Sequence, residues 1–201
     1  MAAGPSLPQR LRHALASGHE RDVTLKRADP RVLPEQLHSP AAVLIAVTDR
    51  PEPGVILTRR ADHLRTHAGQ VAFPGGRVDE ADADVVAAAI REAEEEIGLP
   101  THLVDVIGIT DPYKTYTGYD IIPVLAVIPP DISFRPHPGE VDSVFETPLR
   151  DMLHPDAFSN QLIEYDGKLH HYYEFVWQEY RIWGVTAAIL VNLAKRLGHA
   201  F

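Results

Sequence analysis

Residues 76–99 read GRVDEADADVVAAAIREAEEEIGL, and this stretch decides the fold. Its ending sets Glu92, Glu95 and Glu96 at spacings i, i+3 and i+4, which share one face of an α-helix. Three carboxylates on one face repel, so a helix built for stability alone would avoid them. A hard divalent cation relieves the repulsion, because it takes oxygen ligands and keeps room for water and phosphate. The helix itself is legible. Asp82 and Asp84 are N-cap candidates. Val85, Val86, Ala89, Ile90, Ala93 and Ile97 form a core-facing stripe, and Gly98 ends it. The glutamates then fall on a flank beside the stripe. Just upstream, Phe73-Pro74-Gly75-Gly76 reads as a strand end and a tight turn, where a main-chain carbonyl can approach a cation. A generic acidic run is usually a solvated face. The order of aromatic-proline-glycine turn, acidic loop and Arg-Glu-x-x-Glu-Glu-x-Gly argues against that here.

Working outward, the flanking segments alternate between strands and helices. Ser6 to Ser17 is expected to be a short helix with Gly18 as its stop, and residues 19–39 an irregular lead-in. Ala41–Thr48 and Val55–Thr58 are strand-like across the turn cluster DRPEPG. Leu103–Ile109 and Ile121–Ile128 are further strands, with a polar aromatic loop at Asp111–Tyr119 between them. Val141–Glu146 is a short strand. Leu162–Tyr165 and Tyr172–Trp177 pair as a hairpin across Asp166-Gly167. Ile182–Leu197 closes the chain as a helix with basic residues at its negative end. Interleaved strands and helices indicate a layered α/β fold of mixed α+β character.

Composition narrows the function. The 201 residues are 45% hydrophobic, enough for one full core, and the formal net charge of −9 disfavours nucleic acid or an anionic membrane as partner. A small anionic substrate must be held by local cations. With no cysteine, thiol chemistry and thiolate metal sites are excluded, in keeping with a reducing cytoplasm. MAAGPSLPQRLRHALASG lacks the continuous apolar stretch of a secretory signal, and no apolar run approaches the ~20 residues that span a bilayer.

The 76–99 stretch resembles the Nudix box, G-x5-E-x7-R-E-U-x-E-E-x-G-U with U apolar. Gly76, Arg91, Glu92, Glu95, Glu96, Gly98 and Leu99 match. Asp82 stands at the first acidic position, with eight residues before Arg91 instead of seven. Residues 56–76, ILTRRADHLRTHAGQVAFPGG, resemble the motif that precedes the box in the coenzyme A pyrophosphatase branch of that family. Leu57, Thr58, Arg60, Leu64, Arg65, His67, Gly69, Gln70 and Phe73–Gly76 fit, and the longer box is also that branch's pattern. The resemblance covers most of the chain from about Pro40. It implies an α/β/α sandwich around a mixed β-sheet over residues 40–201, preceded by the N-terminal helix and lead-in of residues 1–39.

The same resemblance implies roles. Glu92 and Glu96 are metal ligands, with Glu95 as third ligand or base and the Gly76 carbonyl as a further ligand, for Mg²⁺ or Mn²⁺. Arg91 holds a neighbouring carboxylate in place. Glu140, in a Pro-Gly loop, is a second candidate for metal binding or proton acceptance. Arg60 and Arg65 suit phosphate. His67 binds phosphate or packs beside the turn, and Gln70 orients substrate or holds its loop. Apart from the resemblance, the residue types of Lys114, Tyr116 and Tyr119 suit gripping a phosphate or stacking on adenine, with an ordinary mobile surface loop as the open alternative. The implied reaction cleaves CoA or its derivatives to 3′,5′-ADP and 4′-phosphopantetheine or its acyl form. Hydrolysis of another nucleoside diphosphate derivative, such as ADP-ribose or NADH, and a non-catalytic binding module stay open as alternatives. A homodimer is a further expectation.

Overall fold

A computed structural model describes residues 4–154 and 156–198 of the chain. Helix α1 (Leu7–Glu20) opens it, with Ser6 and Gln9 forming a reciprocal capping box. β1 (Ser39–Thr48) and β2 (Gly54–Arg60) follow, then the short strands β3 (Val71–Ala72) and β4 (Gly75–Arg77). Helix α2 (Val85–Ile97) carries the acidic face. A 3₁₀ turn (Thr101–Leu103) leads into β5 (Asp105–Ile109), β6 (Tyr113–Lys114), β7 (Tyr119–Ile128) and β8 (Val141–Pro148). Helix α3 (Leu149–Leu153), the strands β9 (Ser159–Tyr165), β10 (Lys168–Trp177) and β11 (Tyr180–Trp183), and helix α4 (Gly184–Leu197) complete the chain.

β1 pairs in parallel with β7 along its whole length, and every other pairing in the main sheet is antiparallel. Side chains alternate across a strand. Ile45, Val47, Leu125 and Val127 therefore join α1, α3 and α4 in one core, while Ala42, Leu44, Ala46, Val124, Ala126 and Ile128 face α2 in another. These layers form the expected α/β/α sandwich around a mixed sheet. The α2 layer is built of small residues. Ala88, Ala89 and Ala93 lie over Ala42 and Ala46, so the helix sits low on the sheet. Separately, β9, β10 and β11 form a three-stranded antiparallel sheet.

Several expectations are corrected. α1 runs to Glu20, past Gly18, because the missing side chain there admits the backbone of Arg196. Phe73–Gly76 is no tight turn: the Pro74 carbonyl accepts from Leu44 N–H at 2.8 Å and Gly75–Arg77 pairs with β1. Asp111–Tyr119 is not all loop, since β6 pairs with β7. Ile182 and Trp183 belong to β11, where Phe175 pairs with Ile182, so α4 starts later than helical period alone indicates.

Arg196 on α4 ties the chain's ends together. Its guanidinium donates twice to Asp111, at 2.7 and 2.8 Å, and to the Gly18 carbonyl at 2.8 Å, with both charged residues buried. Burial acts to raise the Asp111 carboxyl pKa, but the Arg196 hydrogen bonds outweigh it and the pKa falls below its ordinary value. Removing one partner strands the other charge. Arg196→Ala is expected to lower unfolding stability by about 3–5 kcal/mol in urea denaturation. A loss under about 1 kcal/mol, as for an exposed pair, would show that Asp111 is resolvated without it.

Candidate active site

The site forms where the C-terminal half of α2 crosses β4 and the end of β2. Asp84 caps α2, its carboxylate accepting from Val86 and Ala87 N–H at 2.9 and 2.8 Å. Gly98 ends the helix at φ +67°. Between them Glu92, Glu95 and Glu96 lie on the flank of the core stripe but meet different surroundings. Glu96 is 5% exposed and Glu92 half-buried, whereas the Glu95 side chain is 61% exposed.

Glu96 accepts from Gly75 N–H at 3.0 Å and stands 4.0 Å from the Arg60 guanidinium. Burial raises its pKa, the Gly75 hydrogen bond and Arg60 pull it down, Glu140 and Glu92 push it up again, and it settles at about 7. Glu92 is likewise raised, first by burial, against the pull of Arg91. Its carboxylate lies over Gly76 so closely that a Cβ there would fall 2.5 Å from it. Gly76 is thus the only residue type that leaves the Glu92 carboxylate in this position. Arg60 Nε is buried without a hydrogen-bond partner among the described residues.

Arg91 braces the arrangement. It grips Asp82 with two hydrogen bonds, at 2.9 and 3.1 Å, and contacts Glu92 at 3.0 Å and Glu95 at 3.1 Å. It also donates to the Arg77 carbonyl at 3.1 Å. Asp82 is therefore not the helix cap. It is an anchor for Arg91, and its pKa falls chiefly through that hydrogen bond. Glu95 is tied to Arg91 and largely exposed. Among the described residues, no group of three or more His, Asp or Glu side chains is already gathered as a cation cage. The oxygen donors on offer are Glu92, Glu96 and the main chain of β4, with Glu140 nearby.

The loop bearing Glu140 is stitched to both elements of the site. His137 N–H donates to the Glu96 carbonyl at 2.8 Å, and Ala61 N–H donates to the Glu140 carbonyl at 2.9 Å. Glu140 is felt electrostatically by both buried glutamates.

The other candidates are spread more widely. His67 and Gln70 bond to each other at 2.9 Å within the loop after β2, with His67 held at φ +58°. Arg65 is exposed and makes no ion pair or hydrogen bond with another described residue. Arg59 fastens the loop by bonding Asp62 and Asp142 at 2.7 Å each. Arg59 and Arg60 alternate across β2. The open cleft of about 360 Å³ lined by Arg59, Gln70, Tyr180, Arg181 and Trp183 therefore lies on the sheet face opposite Glu96. The Tyr119 hydroxyl accepts from Arg77 at 2.9 Å, so Tyr119 reaches the edge of the site. Lys114 is not brought to it. β6 lies three strand spacings from β4 across β7 and β1, about 14 Å. Tyr116 lies under Arg31, 3.6 Å from its ring centroid, and near Tyr165. Arg77 was not singled out in the sequence, and its position directly after Gly76 was the only signal.

A family model described as a NUDIX domain matches residues 38–166. A protein of Shigella boydii serotype 4 named "Uncharacterized Nudix hydrolase NudL" is 47% identical over 170 residues, 84% of this chain and 88% of the relative. A relative of the same name from Escherichia coli O1:K1 / APEC matches to the same extent. The solved structure of a Nudix hydrolase from M. smegmatis, RenU, aligns at 21% identity and a TM-score of 0.48, over 59% of this chain and 82% of that one. Among the described residues, no helix is long and apolar enough to cross a membrane.

Glu96 makes stability depend on pH. The folded chain keeps a proton that the unfolded chain releases, so this contribution is complete below pH 4.5 and is lost as pH rises toward about 7. In chelator, wild-type stability is expected to fall relative to Glu96→Gln between those limits. Parallel urea curves for the two proteins across this range would show instead that Glu96 titrates as an ordinary carboxyl.

Proposed function

This chain belongs to the Nudix hydrolase family, and on that premise we propose that it hydrolyses the pyrophosphate of coenzyme A or a CoA derivative. The products would be 3′,5′-ADP and 4′-phosphopantetheine or its acyl form. The observation that carries this reading is the pairing of Arg60 with Glu96. Arg60 belongs to the 56–76 segment that resembles the CoA branch, and its buried, unpartnered Nε stands beside the box carboxylates. A phosphate oxygen supplies the acceptor that this donor lacks.

Hydrolases of this family use divalent cations. The residues present fit Mg²⁺ or Mn²⁺: the donors are all oxygen, the Glu96 carboxylate is buried with Arg60 as its one nearby cation among the described residues, and Gly76 leaves space at Glu92. Glu92, Glu96 and the Gly76 carbonyl would hold the ion, which supplies charge neutralisation and acidifies water. The chain's own part is then positioning. Arg91 fixes Glu92 and Glu95 in orientation, and Asp82 fixes Arg91. Arg60 binds the pyrophosphate from the β2 side. Glu140 takes the proton of the attacking water, since its charge acts on both Glu92 and Glu96 from a loop fixed to the site, while Glu95 is held by Arg91. His67 and Gln70 hold each other, so their part is to shape the loop that presents Arg65. Arg65 meets the 3′-phosphate, and Tyr119 with Arg77 forms the far wall. Lys114 would contact only a distant part of the substrate.

The test is cation-dependent turnover of CoA, with products resolved by mass spectrometry and ADP-ribose and NADH run in parallel. 3′,5′-ADP and 4′-phosphopantetheine should appear, and should vanish in chelator. Preferential cleavage of ADP-ribose or NADH would overturn the substrate assignment while keeping the chemistry. Glu96→Gln should fold yet lose more than ~100-fold in kcat, beyond the effect typical of outer-sphere partners. Arg65→Ala should raise KM for CoA roughly 10-fold and leave dephospho-CoA nearly unchanged, because a charge-assisted hydrogen bond to the 3′-phosphate is worth about 1.5–3 kcal/mol. Equal effects on both substrates would remove Arg65 from that role.

A further inference from the structure

β9, SNQLIEY, is an edge strand with no strand on its outer side among the described residues, although Tyr165 at its end packs near Tyr116 and Arg31. Its seven residues pair with β10 in unbroken register, without a bulge. The opposite edge has no strand against it. Natural edges are usually blunted by lysine, proline, a bulge or a covering element. β9 has no lysine or proline, and Leu162, Ile163 and Tyr165 on it are 52%, 39% and 48% exposed. An open edge of this kind offers alternate N–H and C=O groups to another strand.

We propose that β9 pairs antiparallel with β9 of a second copy of this chain, about a two-fold axis through Leu162. The two three-stranded sheets would then become one of six strands. The strand is complementary to itself in this register. Its midpoint is Leu162, so all seven residues find a partner. Leu162 meets the partner's Leu162 directly, and Ile163 lies diagonal to the partner's Ile163. The strand's one charge is Glu164, which has no partner among the described residues. In this register it faces Asn160 of the partner and not a second Glu164. Asn160 Oδ1 is already engaged by His171 at 3.2 Å, which leaves its amide N–H groups for that carboxylate. A closed two-fold contact of one strand with itself ends at two copies and does not propagate.

Because the chain contains no cysteine, one introduced thiol gives an unambiguous report. Leu162→Cys places two sulfurs on residues whose Cα atoms are about 4.5–5.5 Å apart, within disulfide range. Under oxidised glutathione it should give a cross-linked dimer in near-complete yield. Leu169→Cys, on β10 and so removed from the axis, should not. Sedimentation velocity should show a wild-type dimer and a monomer for Leu162→Lys, which sets two like charges face to face. Circular dichroism unchanged from wild type would verify that this exposed variant is folded. A wild-type monomer at tens of micromolar would overturn the proposal. So would a dimer that survives Leu162→Lys, or one that Leu162→Cys fails to cross-link.

Discussion

The structure turns on one buried carboxylate. Glu96 lies under the edge of the sheet with a Gly75 N–H on one oxygen and Arg60 at 4.0 Å from the other. Burying a charge without a full partner is unfavourable, and the group responds by holding its proton to about pH 7. A fold selected for stability alone would place an apolar side chain here. Under the function we propose, the retained carboxylate belongs to a site completed by a cation, which would substitute for the proton and relieve the repulsion with Glu92.

Much of the surrounding architecture serves to hold that carboxylate in place. Alanines on α2 and β1 let the helix lie close to the sheet, which brings Glu92 onto Gly76 and Glu96 onto Gly75. β4 is only three residues long, but its pairing with β1 fixes those glycines relative to the core. Arg91 gathers Asp82, Glu92 and Glu95 around one guanidinium, so the acidic loop and the helix move as a unit. On the opposite face, α1 and α4 are clamped by Arg196 and Asp111, far from the chemistry.

The parts of the fold that follow local rules were legible in the sequence. The periodicity of Val85–Ile97, the stop at Gly98 and the apolar runs of β1 and β7 depend on near neighbours in the chain. What escaped depends on distant ones. β3, β4, β6 and β11 are too short for a pattern and exist because a neighbouring strand offers hydrogen bonds. Gly18 reads as a helix stop until Arg196 is seen beside it. At the site, residue types and spacing singled out the glutamates and Arg91 as candidates. They did not show that Glu96 is buried while Glu95 is exposed, since a shared helix face does not specify what covers it. Acidic residues suit helix starts, so Asp82 and Asp84 both read as cap candidates, and only the structure shows that Asp84 caps α2 while Asp82 holds Arg91. Lys114 lies apart from the box because strand order, which the sequence does not state, separates them.

The most direct measurement is calorimetric titration of Mn²⁺ into the metal-free protein, repeated in buffers of different ionisation enthalpy near pH 6.5. Cation binding must displace the Glu96 proton, so the account requires proton release on binding by the wild type. It requires weaker binding without that release in Glu96→Gln. Binding of equal strength in both proteins, with no proton released, would contradict it.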